Sequence, residues 1–209
     1  MKRLTPLPET SLMVPASPRG DVRHEQVTHA WRAWSTQHRL LAASLGGFVA
    51  VHISSLLGFW MGGFGLTRLD YNTANGMVLL PHGTPTQQFV VGAFSHYIDG
   101  VVFAVLFALG LSPLLPLPAT RLGNIVKSLI FGTVLALLAI FVTAPFVFGP
   151  ARGVHDALAG LHAGPNYIIS VLIFHWLYGL HVGIIYNPFD SAQTEAAARR
   201  SQDQLSDPT

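Results

Sequence analysis

Apolar residues fall along this chain in four long blocks, separated by stretches where proline, glycine and polar side chains return. The first block runs from about Leu40 to Leu66 and holds no formal charge, and the second, from about Gln88 to Leu111, holds the carboxylate Asp99. The third runs from about Ile125 to Phe148, with Lys127 near enough to its start to snorkel, and the fourth from about Tyr167 to Tyr186, with His175 and His181 inside it. Roughly 20 helical residues cross a hydrocarbon core. The pattern therefore predicts an all-α polytopic membrane protein whose residues 39–187 form a bundle of four transmembrane helices, spanning about 40–66, 88–111, 125–148 and 167–186.

The flanks follow other rules. Between Asp21 and His38, Val27, Ala30, Trp31 and Trp34 recur at helical spacing opposite Arg23, Glu25 and Arg32. Tryptophans beside basic residues suit an amphipathic helix lying in the headgroup layer, so 21–38 is expected to be an interfacial helix leading into the first span. Residues 1–20 are punctuated by Pro6, Pro8, Pro15 and Pro18. No apolar core of a cleavable signal forms there, and a disordered tail is expected. Residues 188–209 are expected to be a polar cytoplasmic tail, with a short helix around Ala192 to Gln204. The turn from Ser112 to Pro118 carries three prolines and should be tight and extended. The connections 67–87 and 149–166 are longer loops. Pro145 lacks the N–H that would bond the Phe141 carbonyl, so span three should kink there.

Charge sets the orientation. Lys2, Arg3, Arg19, Arg23, Arg32, Arg39, Arg121, Lys127, Arg199 and Arg200 fall on one side of the four blocks, and Arg68 and Arg152 on the other. Basic residues collect in the cytoplasm. Both termini are thus expected inside, in a bacterial inner membrane. Composition agrees: half the residues are hydrophobic and 11% charged, with a mean hydropathy of +0.44, against about 25% charged in soluble domains. The chain has no cysteine, which excludes disulfides, thiolate metal sites and iron–sulfur clusters. A net charge of +2 gives no footprint for nucleic acid.

Ionisable groups inside a span are costly and are the candidates for function. His96 and His175 each lie about nine residues into spans that run the same way, so both sit some 13 Å below the outer interface. Asp99 follows His96 at i+3, and His52 in span one falls near mid-membrane. Three readings follow. The histidines and Asp99 hydrogen-bond across the bundle and specify packing. Alternatively His96 and His175 ligate a b-type haem, with Asp99 or Tyr178 as a neighbour and Arg68 and Arg152 meeting propionates. Or His52, Asp99 and His175 form a proton or ion relay. His181 is rotated away from His175 and cannot share its face. In the loops, His82, His155 and His162 are candidates for a small metal site. Gly58 and Gly62 in span one, and Gly179 and Gly183 in span four, have the spacing that permits close helix packing.

The run Gly-Ala-Phe-Ser-His96-Tyr-Ile-Asp99-Gly in span two and Phe-His175-Trp-Leu-Tyr178-Gly179 in span four resemble small four-helix bacterial membrane proteins of unknown function. The resemblance covers roughly residues 45–187. It implies a fold and topology and points to His96 and His175, without implying an activity. No P-loop, G-x-S-x-G or H-E-x-x-H signature is present. The expected function is a small integral subunit without catalysis of its own. Its partners would be the bilayer and either a larger, energy-transducing membrane complex or further copies of itself. The alternatives are the haem-binding electron carrier and a proton-coupled channel or transporter.

Overall fold

The computed structural model describes residue 27 and residues 30–188. The tail expected at 1–20, much of the amphipathic stretch and the tail from 189 onward lie outside the described residues. All regular structure among the described residues is helical. Four helices are long and apolar enough to cross a membrane: Arg39–Phe64, Pro85–Leu114, Arg121–Ala151 and Pro165–Ile185, called spans one to four. Their ends extend or retract the apolar blocks by up to about a turn because capping is set by polar residues outside the blocks. Thr84 begins span two, its Oγ1 accepting from Gln87 N while Gln87 Oε1 accepts from Thr84 N, with Pro85 in the first turn. Thr120 Oγ1 likewise accepts from Gly123 N at the start of span three.

Span one packs on spans two and four, and span four packs on span three. Spans two and three meet mainly near the turn that joins them, which leaves their other halves apart. We call the end with that turn the lower end and the end with the two longer connections the upper end. Spans three and four approach closely because small residues face one another. A Cβ at Gly179 would overlap the Ser128 carbonyl, and one at Gly132 the His175 carbonyl. The lower core is built on Phe107, Phe131, Val182 and Tyr186, the upper on Met61, Ile140, Val171 and Phe174. Large apolar side chains such as Phe94 and Phe146 are exposed outside the bundle, as lipid-facing residues are.

Four local features differ from the sequence reading. The connection 67–87 is not simply a loop: Tyr71–Leu79 forms a helix, capped by Asp70, whose carboxylate accepts from Thr73 N and Thr73 Oγ1. That helix lies directly on span two, since a Cβ at Gly92 would overlap the Asn72 carbonyl and one at Gly76 that of Gln88. At Pro145, span three adopts π-helical turns over Ala139–Phe148. The wider i+5 turn accommodates a ring that would strike the i−4 carbonyl of an α-helix. A second π-helical stretch, Phe107–Leu111, precedes Pro113 and lets span two run on to Leu114, so the extended part of the turn starts only at Leu115. Lys127 does not snorkel outward. It is buried, and its Nζ donates to the Ser112 carbonyl at 2.9 Å.

Residues 30–37 are helical and, after a turn at His38, run into span one. Trp31 Nε1 donates to the Ile185 carbonyl and Thr36 Oγ1 to that of Pro188, each at 3.0 Å. This segment therefore rests on the lower end of span four.

Candidate functional site

The gap between the upper halves of spans two and three is a cavity of about 420 Å³. Three elements contribute polar groups to it in pairs fixed by helical periodicity. His96 and Asp99 come from span two at i, i+3, His175 and Tyr178 from span four at i, i+3, and Tyr71 and Asn75 from the short helix at i, i+4. The opposite wall is largely apolar, with Leu135, Leu138, Ala139, Val142 and Val147 of span three, most of them on its π-helical stretch, interrupted by Thr143. Phe103, Leu138 and Val142 line the cavity and are also exposed on the outside of the bundle. The mouth thus opens sideways, between spans two and three, toward the space lipid would fill.

Four rings form the cavity's polar corner. The Tyr71 centroid lies 5.6 Å from that of His96, 4.9 Å from Phe174 and 6.0 Å from His175. Phe174 in turn lies 6.0 Å from His96 and 5.3 Å from His175. His175 Nδ1 is 2.8 Å from the Val171 carbonyl. A carbonyl only accepts, so Nδ1 carries the proton and Nε2 keeps its lone pair. Asn75 Nδ2 donates to Asp99 Oδ2 at 2.9 Å. Tyr178 OH is already committed, donating to the Gly100 carbonyl at 2.5 Å.

Nine buried side-chain nitrogen or oxygen atoms among the described residues have no hydrogen-bond partner. Two of them, Tyr71 Oη and His96 Nε2, belong to residues that line this cavity. Leaving such an atom unmade costs about 1–3 kcal/mol. Burial, and then the neighbouring Tyr167 phenol, push the Tyr71 hydroxyl well above the usual tyrosine range. It stays protonated and can donate. The corner therefore gathers a hydroxyl donor and two imidazoles in the cavity's wall.

The residues singled out from the sequence divide accordingly. His96, Asp99, His175 and Tyr178 come together, joined by Tyr71 and Asn75, which the sequence reading passed over. The signal for these two was present: Asp70 followed by Thr73 is a helix start, and Tyr71 and Asn75 then share a face. His52 lies elsewhere, on the exposed side of spans one and two, with Nδ1 2.5 Å from Tyr97 OH. The three groups of the expected relay are thus not gathered in one place. His181 Nδ1 bonds the Leu177 carbonyl and does not line the cavity. Arg68 and Arg152 line a separate hollow above. Among the described residues, no three or more His, Asp or Glu side chains are placed to hold a metal ion. His162 Nδ1 instead sits 2.7 Å from Asp156 Oδ2, while His82 and His155 are exposed. Of the glycines, Gly179 and Gly183 face Ser128 and Gly58 faces Leu69 and Phe174, whereas Gly62 is exposed with only Arg68 Cβ nearby.

Comparison with protein-family models, curated proteins and solved structures finds no match to this chain.

Proposed function

We propose that this chain is a small integral membrane subunit that binds one lipid-soluble molecule bearing a hydrogen-bonding group, held by Tyr71, His96 and His175. The observation that carries this reading is a cavity whose apolar rim faces outward between two spans and whose wall includes Tyr71 and His96, each with a buried polar atom that has no partner. Ligand sites are typically mostly apolar with a few convergent polar groups and hold about 300–1,000 Å³. The setting we infer is a bacterial inner membrane with both termini cytoplasmic, following the basic residues, with the segment around 30–37 in the headgroup layer.

Association with a larger membrane complex is part of the proposal, and the His52–Tyr97 pair supports it. A polar pair displayed on the exposed face of spans one and two, beside Phe48, is better covered by a partner helix than by hydrocarbon. Purification in mild detergent followed by native mass spectrometry tests the site. A lipid-soluble molecule should remain bound at about one per chain, and Tyr71→Phe combined with His96→Ala should lower its retention about ten-fold or more. A wild-type chain that carries nothing and takes up no lipid-soluble probe would end the reading.

A b-type haem on His96 and His175 is the second reading. It is favoured by the His175 Nδ1 bond to Val171, which leaves Nε2 free to ligate. It requires the Tyr71 and Phe174 rings, now packed against both imidazoles, to move apart. A reduced visible spectrum without an α-band, from cells supplied with haem, would rule it out.

A further inference from the structure

Directly above the intramembrane cavity lies a second hollow of about 350 Å³, at the upper end between the start of the short helix, the top of span three and the connection that follows it. The two hollows share Tyr71 and Phe148 in their walls, and those rings lie 6.0 Å apart. The upper hollow contains Arg68 and Arg152, which among the described residues are the arginines or lysines of this end of the bundle. Asp70 lines it too, 3.9 Å from Arg68. Its carboxylate already accepts twice from Thr73 at the start of the short helix. Two guanidiniums against one carboxylate leave a surplus of one positive charge in a hollow whose remaining wall is largely alanine, glycine and aromatic ring.

An apolar chamber that opens to lipid, with a cationic vestibule sharing its wall, is the shape of an anionic amphiphile. We infer that the bound molecule is a long-chain phosphate monoester, its phosphate on Arg68 and Arg152, its ester oxygen the group offered to Tyr71 and the imidazoles, and its chain in the cavity, the packed Tyr71 and Phe148 rings parting to admit it. This rests on the cavity being a ligand site, as proposed above, and adds the charge and placement of the head. Guanidinium matches a phosphate through paired N–H donors, which a lysine ammonium does not. It also explains why the few basic residues at this end border one hollow instead of being scattered over the connections.

The test uses the full chain in a non-ionic detergent and three probes: hexadecyl phosphate, hexadecanol and inorganic phosphate. Hexadecyl phosphate is expected to bind about ten-fold more tightly than hexadecanol. Arg68→Gln with Arg152→Gln should erase that preference while hexadecanol binding stays as in wild type. Arg68 also lies over the Phe59 ring, 5.3 Å from its centroid. Arg152→Gln alone, at an exposed position, therefore serves as the variant least open to a folding defect, and should reduce the preference about three-fold. Equal affinity for the two long-chain probes in wild type would overturn the anionic head and leave the cavity reading standing. Displacement of hexadecyl phosphate by an equal concentration of inorganic phosphate would overturn the amphiphile in favour of a free anion site. Failure of both long-chain probes to bind would overturn this inference and the cavity reading together.

Discussion

The lower and upper halves of this bundle place their polar side chains differently. In the lower half, polar side chains reach backbone carbonyls near helix ends and tie elements together. Asn124 Nδ2 donates to the carbonyls of Gly183 and Tyr186, Lys127 Nζ to that of Ser112, and Trp31 Nε1 to that of Ile185. In the upper half, Tyr71, His96 and His175 line a cavity, and Tyr71 Oη and His96 Nε2 meet no partner. The same kinds of side chain thus tie helix ends together at one end and line a cavity at the other. Each half has its own packed core, and the upper half also holds the cavity.

That contrast can be broken by substitutions that should affect only one half. The largest effect is expected from Gly179→Leu. A side chain there meets the Ser128 carbonyl and must push spans three and four apart, at a cost of about 3 kcal/mol or more. Denaturation in mixed micelles should show a collapse of stability; a near-wild-type midpoint would mean that the two spans are not pressed together. Asn124→Ala comes next. It deletes two interhelical bonds and should lower stability by about 1–2 kcal/mol, while leaving ligand retention intact. Equal losses of stability and retention would erase the distinction between the halves. His96→Phe should do the reverse, shifting stability by about 1 kcal/mol at most, because it keeps a ring packed against Tyr71 and Phe174 and the nitrogen it removes bonds nothing, yet sharply lowering retention.

The smallest effect sits outside the membrane. Asp156 accepts from Leu158 N at 2.9 Å and pairs with His162 Nδ1 at 2.7 Å. The Leu158 amide first, and the His162 imidazole second, hold its carboxyl below the ordinary value of 3.8. With the folded pKa depressed, the local stabilisation is present above that ordinary value and is lost as pH falls through the lowered one. Asp156→Asn should therefore speed amide exchange at Leu158 near neutral pH, and match wild type in strong acid. A difference that persists in strong acid would show that the carboxylate is not responsible.

Much of the fold was legible because apolar length is a direct physical requirement for crossing lipid. All four spans follow from it, and small residues at Gly179 and Gly183 mark where backbones approach. The site was legible only in part. Counting residues along a helix gives depth, which aligned His96 with His175. It gives no common bearing for separate helices, and His52, at a similar depth, turned out to face outward with Tyr97. Tyr71 and Asn75 were missed because Tyr-Asn-Thr-Ala-Asn-Gly has weak intrinsic helix propensity. The Asp70 cap of the helix they stand on is local and readable, but the contact with span two that holds the helix is tertiary information. The π-helical stretches were equally hidden: proline signals a disturbance, and packing decides its form.

One consequence concerns the stretch Ala139–Phe148. A π turn is an α turn with one residue more, so the wall it builds has a width fixed by residue number as well as by side-chain size. Deleting a single residue there would tighten the coil, rotate Val142 and Val147 relative to His96, and redraw the chamber without touching its polar corner. Relatives of this protein that accommodate ligands of different girth would then differ by gaps in alignment within this stretch, and point substitutions around the ring cluster would be the rarer way to change what fits.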